Sequence, residues 1–207
     1  MARYTGPVCR LCRRYGEKLM LKGDKCVTKC TLDKRPQPPG PPASRRRKLS
    51  DRALQLREKQ KARITYGVLE KQFVDYYEEA VRLPGVTGIN LVTLLELRLD
   101  NVVHKMGFAD SPKAARQLVR HGHIMLNGRK TDIPSAKTKA GDVIGWMATS
   151  KKKEQFKFAK ENMSSKTQPS WLGVDAEQMT GRIISPPPVA DTPSKFDPAV
   201  IVEYYSR

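Results

Sequence analysis

The stretch Ser111-Pro-Lys-Ala-Ala-Arg-Gln-Leu-Val-Arg-His-Gly-His-Ile-Met-Leu-Asn-Gly128 leaves little freedom in how it folds. Ser111 is a strong helix N-cap, Pro112 suits the first helical position, and Gly122 suits the left-handed residue just past a helix end. At about 100° per residue, Lys113, Arg116 and Arg120 fall within a wedge of roughly 60°, opposite Ala115, Leu118 and Val119. Asn127-Gly128 is the preferred pair for a type I′ turn, because both residues tolerate positive φ. Residues 123–126 and 129–132 are therefore predicted to pair as antiparallel strands, with Arg129 and Lys130 at the hairpin tip. Two readings fit this element: a cationic surface that grips RNA, or an ordinary amphipathic helix with a solvated charged side.

Charge elsewhere in the chain bears on that choice. The 207 residues carry a formal charge of +18, well beyond what solubility requires, which points to a polyanionic partner. Residues 1–50 hold 14 Lys and Arg against 3 Asp and Glu, and residues 110–140 hold 7 against 2. Segments 51–109 and 141–207 each carry 9 against 8 and are nearly neutral. The excess thus sits in two patches. No run reaches the 18 or so apolar residues of a membrane span and the N-terminus lacks the apolar core of a secretory signal, so a soluble, cytosolic protein is expected, with no membrane partner.

The four cysteines, Cys9, Cys12, Cys26 and Cys30, all lie in the first patch. Two close pairs separated by a loop have nearly the spacing of a tetrahedral four-thiolate site, and a reducing compartment favours a metal over disulfides. The surrounding Arg10, Arg13, Arg14, Lys18, Lys22, Lys25 and Lys29 favour thiolates. Zinc is the default ligand; an iron–sulfur cluster has the same donors, and spacing does not separate the two. So short and charged a segment has little core, so the metal would supply its folding energy.

Residues 35–48 form a proline-rich arm ending in Arg45, Arg46, Arg47 and Lys48. Prolines enforce an extended backbone here, as a disordered spacer or as an arm that orders against phosphates. Helices are predicted over 51–66, over about 69–82, and as one element from about Asn90 to Met106, where Leu91, Leu95, Leu99, Val102, Val103 and Met106 keep helical spacing. Phe73, Tyr76, Tyr77 and Ala80 read as core rather than as base-stacking platforms. Beyond the hairpin, Lys137–Asp142 reads as a basic turn and 143–147 as a strand. A polar helix runs from Lys151 to about Asn162, 182–184 is a short strand, and Ala199–Tyr205 a closing strand.

No Gly-rich phosphate cradle, nucleophile elbow, triad or metalloprotease helix can be read around His104, His121 and His123. His121 and His123 flank the helix-ending glycine, where they can donate to RNA, stack on a base or serve as simple polar end residues.

Several segments together carry a family likeness: Arg98-Leu-Asp-Asn-Val-Val103, Gly107-Phe-Ala109, Ala115-Arg-Gln-Leu-Val-Arg-His-Gly-His-Ile124, Asn127-Gly-Arg129 and Gly141-Asp142. They resemble the small RNA-binding module named after the fourth protein of the small ribosomal subunit. The opening Met1-Ala-Arg-Tyr-Thr-Gly-Pro-Val-Cys9, Leu56-Arg-Glu-Lys-Gln-Lys61 and the terminal Val202-Glu-Tyr-Tyr-Ser-Arg207 extend the resemblance to that ribosomal family over essentially the whole chain.

The resemblance implies an α+β protein with a mainly helical domain, a helix-hairpin RNA-binding module with a short antiparallel sheet, and an N-terminal four-cysteine metal knuckle. Expected boundaries are 1–49 for knuckle and arm, 50–96 for the helical domain completed by 165–207, and 97–164 for the module. It further implies a non-enzymatic primary binder of small-subunit rRNA that nucleates assembly. It would abut the fifth small-subunit protein, influence decoding accuracy, help line the mRNA entry path and, in some members, repress its own message. Candidate RNA contacts are Arg3, Arg10, Arg13, Arg14, Arg45, Arg46, Arg47, Lys48, Lys113, Arg116, Arg120, His121, His123, Arg129 and Lys130. Zinc through four thiolates maps onto Cys9, Cys12, Cys26 and Cys30, the last pair spaced one residue closer than is usual in the family. Alternatives are a zinc-dependent RNA regulator acting off the ribosome and an RNA-modifying enzyme, such as a pseudouridine synthase, with an appended module. The enzyme would need a separate catalytic domain, which the remaining helices and loops do not supply.

Overall fold

The computed structural model describes residues 4–41, 48–163, 167–188 and 195–206. The chain divides into two compact units, one formed by 1–92 with 193–207 and the other by 93–192.

The first unit opens with three short helices, α1 (Val8–Tyr15), α2 (Asp24–Thr28) and α3 (Thr31–Lys34), and Val8 and Cys12 of α1 cluster with Leu19 and Leu21. Helix α4 (Asp51–Thr65) begins where Ser50 Oγ accepts the amide of Ala53 at 3.3 Å. Helix α5 (Glu70–Arg82) buries Phe73, Tyr76 and Ala80, so these residues are core, as their spacing predicts. The chain passes into the second unit within α6 (Thr87–Glu96).

The last segment departs from expectation, because residues 198–205 form helix α10 (Pro198–Tyr205) and not a strand. Asp197 caps it by accepting the amide of Ala199 at 2.8 Å, and Pro198 occupies the first turn. The β-branched run favours a strand locally, but the cap and the partner surface decide otherwise. Tyr205 stacks on Tyr77 with ring centres 4.5 Å apart, and the Lys59 ammonium lies 4.8 Å from the Tyr204 ring. Lys59 is itself buried and paired with Glu70, whose carboxylate also accepts from Tyr205 Oη at 3.3 Å.

The second unit holds α7 (Leu99–Lys105), α8 (Pro112–Arg120) and α9 (Glu154–Met163) with the strands β1 (Ile124–Leu126), β2 (Arg129–Lys130), β3 (Val143–Trp146), β4 (Leu172–Asp175) and β5 (Thr180–Ile183). The antiparallel sheet runs β2-β1-β3-β5-β4. The β4–β5 hairpin pairs with β3 through Ile144 opposite Gly181. Residues 165–192, expected to complete the helical domain, therefore include two strands of the module's own sheet, and only 193–207 returns to the first unit. A Cβ at Gly181 would sit 2.6 Å from Met106 Sδ, so a side chain there would displace the end of the buried Met106.

The helix expected over Asn90–Met106 is two helices, α6 and α7, broken at Leu97-Arg98. The apolar period runs through the break, but the backbone there is diverted to a tertiary partner. Arg98 makes an antiparallel bridge to Lys137, Thr138 donates its amide to Leu97 O at 2.9 Å, and Leu99 donates its own to Ala136 O at 2.9 Å. Leu99, Val102, Val103 and Met106 then join Leu118, Val119, Ile124, Ile144, Trp146, Trp171 and Ile183 in the core.

Candidate nucleic-acid interface

Helix α8 and the β1–β2 hairpin form as their local signals require. Ser111 Oγ accepts the amide of Ala114 at 3.3 Å, and Ala115, Leu118 and Val119 are buried. Asn127 and Gly128 have φ of 50° and 77°, the left-handed pair of a type I′ turn. Asn127 is also tied down by its side chain, which donates to Asp142 Oδ1 at 2.8 Å and accepts the amide of Val143 at 2.8 Å. The hairpin tip is thereby fixed against the turn before β3, and Arg129 and Lys130 project from it, both exposed.

The helix face is less uniform than its spacing suggests. Lys113 and Arg120 are exposed, and Arg120 approaches Asp132 only at 3.8 Å, an exposed pairing of small energetic weight. Arg116 differs, with its side chain 13% exposed and Nη1 donating to Asp100 Oδ2 at 3.0 Å. Asp100 is also gripped in a bidentate manner by Arg98, at 3.0 Å from Nε and 2.8 Å from Nη2. Arg98 is fully buried and Asp100 is 5% exposed. Beside them Asn101 Nδ2 donates to the buried Glu96 carboxylate at 2.7 Å. Sequence reasoning misses this ionic cluster beneath α8, although charged residues inside an otherwise apolar helical run are the signal that exposes it. Arg116 belongs to the cluster's architecture, so reversing its charge would disturb the fold together with any surface.

His121 is exposed and its ring lies 5.9 Å from that of His123. His123 is 7% exposed and shares a 2.9 Å hydrogen bond between Nδ1 and Ser150 Oγ. Burial, then the charges of Lys153, His121 and Lys130, push its pKa below the ordinary 6.5. His123 is therefore neutral at pH 7, and below pH 6.5 the unfolded chain takes up a proton that the folded chain resists. Its contribution to stability is full above pH 6.5 and lost as pH falls through the depressed folded value. Urea titrations of the full chain between pH 7.5 and 5 should show stability falling, and His123→Gln should flatten the curve; parallel curves would disprove the assignment.

In the first unit Arg10, Arg14 and Lys48 are exposed, while Arg13 Nε donates to Gln37 O at 2.9 Å and so ties α1 to the start of the arm. Arg3, Arg45, Arg46 and Arg47 lie outside the described residues. The four cysteines are free thiols, Cys12 and Cys26 buried and Cys9 and Cys30 half-buried. The amide of Lys22 donates to Cys26 Sγ at 3.3 Å. Burial pushes the Cys12 thiol up, the Leu19 amide hydrogen bond pulls it down, and the charges of Cys26, Cys9 and Cys30 push it up further. Among the described residues no three His, Cys, Asp or Glu converge on a common point in the way a metal requires. The donor chemistry, thiols with amides aimed at sulfur, suits zinc, whereas the convergence expected of a folded knuckle is not present.

A helix-and-hairpin module with an exposed cationic tip, joined to a second unit bearing basic helices, defines a class: basic proteins built to grip a polyanion. Residues 3–96 match the ribosomal protein S4/S9 N-terminal domain and residues 97–144 match the S4 domain. The chain is 53% identical over 207 residues to the small ribosomal subunit protein uS4 of Dehalococcoides mccartyi, covering all of both chains. It is 52% identical over 208 residues to uS4 of Heliobacterium modesticaldum and 51% identical over 208 residues to uS4A of Clostridium novyi, again at full coverage. The chain belongs to the uS4 family of small ribosomal subunit proteins, which is not an enzyme family. Among the described residues no helix is long and apolar enough to cross a membrane.

Proposed function

We propose that the chain is a non-enzymatic structural constituent of the small ribosomal subunit that binds its rRNA in the cytoplasm. The observation that carries this reading is the fixed hairpin tip with Arg129 and Lys130 beside Arg120, on a chain that matches uS4 proteins from end to end. Exposed cations on a preformed scaffold release counterions from RNA phosphates, and an RNA helix is recognised by shape more than by sequence. The family likeness supports nucleation of subunit assembly, contact with the fifth small-subunit protein, a place along the mRNA entry path, an influence on decoding accuracy and repression of its own message. The candidate contacts Arg3, Arg10, Arg13, Arg14, Arg45, Arg46, Arg47, Lys48, Lys113 and His121 belong to the same reading, whereas His123 is buried against Ser150. Filter binding of the full chain to small-subunit rRNA should show affinity falling steeply and linearly on a log–log plot against salt; a flat profile would refute it.

For the cysteines, we infer that Cys9, Cys12, Cys26 and Cys30 hold one zinc. Support comes from the buried Cys12 and Cys26 sulfurs, each with an amide hydrogen bond that stabilises a thiolate, and from the small cluster that Cys12 forms with Val8, Leu19 and Leu21. Zinc, when bound, supplies folding energy that this core does not. Elemental analysis of freshly purified protein should find one zinc per chain, and chelation should abolish protection of amides in 1–35 from exchange. Finding neither zinc nor iron would refute metal binding, and iron in place of zinc would assign a cluster.

A further inference from the structure

Between α8 and α9 the second unit holds a groove of about 490 Å³ whose lining includes Phe108, Leu118, His121, Glu154 and Phe158. That volume lies within the roughly 300–1,000 Å³ of small-ligand sites. Helix α9 lies beyond the residues that match the S4 domain, and none of the cationic contacts described above explains its shape.

Two features identify what would fit. Ala159 and Met163, one helical turn apart, pack into the core, and this turns the neighbouring Phe158 outward with 55% of its surface exposed over the groove. Around this apolar wall stand polar edges and opposite charges. Glu154 lies in the lining, Lys153 directly precedes it in the chain, and the Lys130 side chain lies against Gly122, between the lining residues His121 and His123. An apolar peptide side chain would cover Phe158 but strip water from Glu154 without replacing its hydrogen bonds, which is costly. A flat aromatic guest with N–H edges and an anionic tail meets the ring, the carboxylate and the lysines together.

We propose that this groove takes one unstacked RNA base, stacked on Phe158 with an amino-bearing edge toward Glu154, while Lys130 and Lys153 hold the adjoining phosphate. Aromatic side chains commonly receive splayed-out bases of loops and bulges in this way. The proposal rests on the rRNA-binding reading and adds a base-specific subsite to it. A carboxylate at the edge favours adenine, cytosine or guanine over uracil, whose corresponding edge presents a carbonyl.

The test uses the full chain with small-subunit rRNA and with labelled heptaadenylate and heptauridylate. Phe158→Ala should weaken rRNA binding about five- to tenfold, the low end for loss of one stacked base, with the salt slope and the melting curve unchanged. Phe158→Trp should keep wild-type affinity and Phe158→Leu should lose as much as alanine. Full affinity in either the alanine or the leucine variant would overturn the stacking assignment, the second result pointing to an apolar protein side chain as the natural cover. The wild type should bind heptaadenylate more tightly than heptauridylate, and Glu154→Gln should erase the preference; equal binding of both by the wild type would overturn the edge assignment. Failure of the underlying reading looks different, as wild-type protein that does not bind rRNA at all.

Discussion

Asp100→Ala is expected to destabilise the 93–192 unit by about 3–5 kcal/mol, the range for removing one partner of a buried ion pair. Asp100 accepts two hydrogen bonds from Arg98 and one from Arg116, and Arg98 has no exposed surface. Without the carboxylate, a guanidinium stays buried and stripped of its bidentate acceptor while the α7 backbone remains tied to Pro134 and Ala136. For a unit of about a hundred residues such a loss lowers the melting point by more than about 12 °C. With two units in the chain, the readout should be local, by hydrogen exchange of the α7 amides together with urea denaturation. Replacing the three charges by apolar groups, Arg98→Met with Asp100→Leu and Arg116→Met, should recover most of the stability, because a packed apolar cluster often equals or exceeds a buried ionic one. A change under about 1 kcal/mol for Asp100→Ala would show that water or rearrangement satisfies Arg98, and the cluster would lose its structural role.

The combined change Arg120→Glu, Arg129→Glu and Lys130→Glu should weaken rRNA binding by at least about a hundredfold at moderate salt and make the log–log salt slope shallower by about 2–3, close to one for each phosphate no longer neutralised. All three side chains are exposed, and among the described residues their one ion pair, Arg120 with Asp132, is long, so the fold should be unaffected. Arg116 is left out of this set because it holds Asp100. Unchanged affinity and slope, with circular dichroism matching the wild type, would remove the hairpin tip from the interface and leave the basic first unit to hold the RNA.

Much of the module was legible in the chain because its signals are local. Ser111 caps α8, Pro112 starts it, and Asn127-Gly128 turns the hairpin, each through the conformational preference of a single residue. Where local signals competed, position in the chain misled. Ala199–Tyr205 looks like a strand by composition, yet Asp197-Pro198 just before it is a helix start, and the aromatic stack on Tyr77 rewards the helix. The break at Leu97-Arg98 left no local mark at all, since the apolar period continues and the interruption comes from hydrogen bonds to residues about forty positions later.

Sequence alone determined the two cationic patches, the cysteine pairs, the capped helix and the hairpin, and through them the family, because charge, caps and turns depend on residues a few positions apart. Tertiary structure decided which side chains are available. It drew Arg116 inward onto Asp100, buried His123 against Ser150, carried β4 and β5 into the module's sheet and turned Phe158 out over a groove. Each of these depends on a partner distant in sequence, and burial beside such a partner, which no residue's own chemistry specifies, separates a structural charge from a functional one.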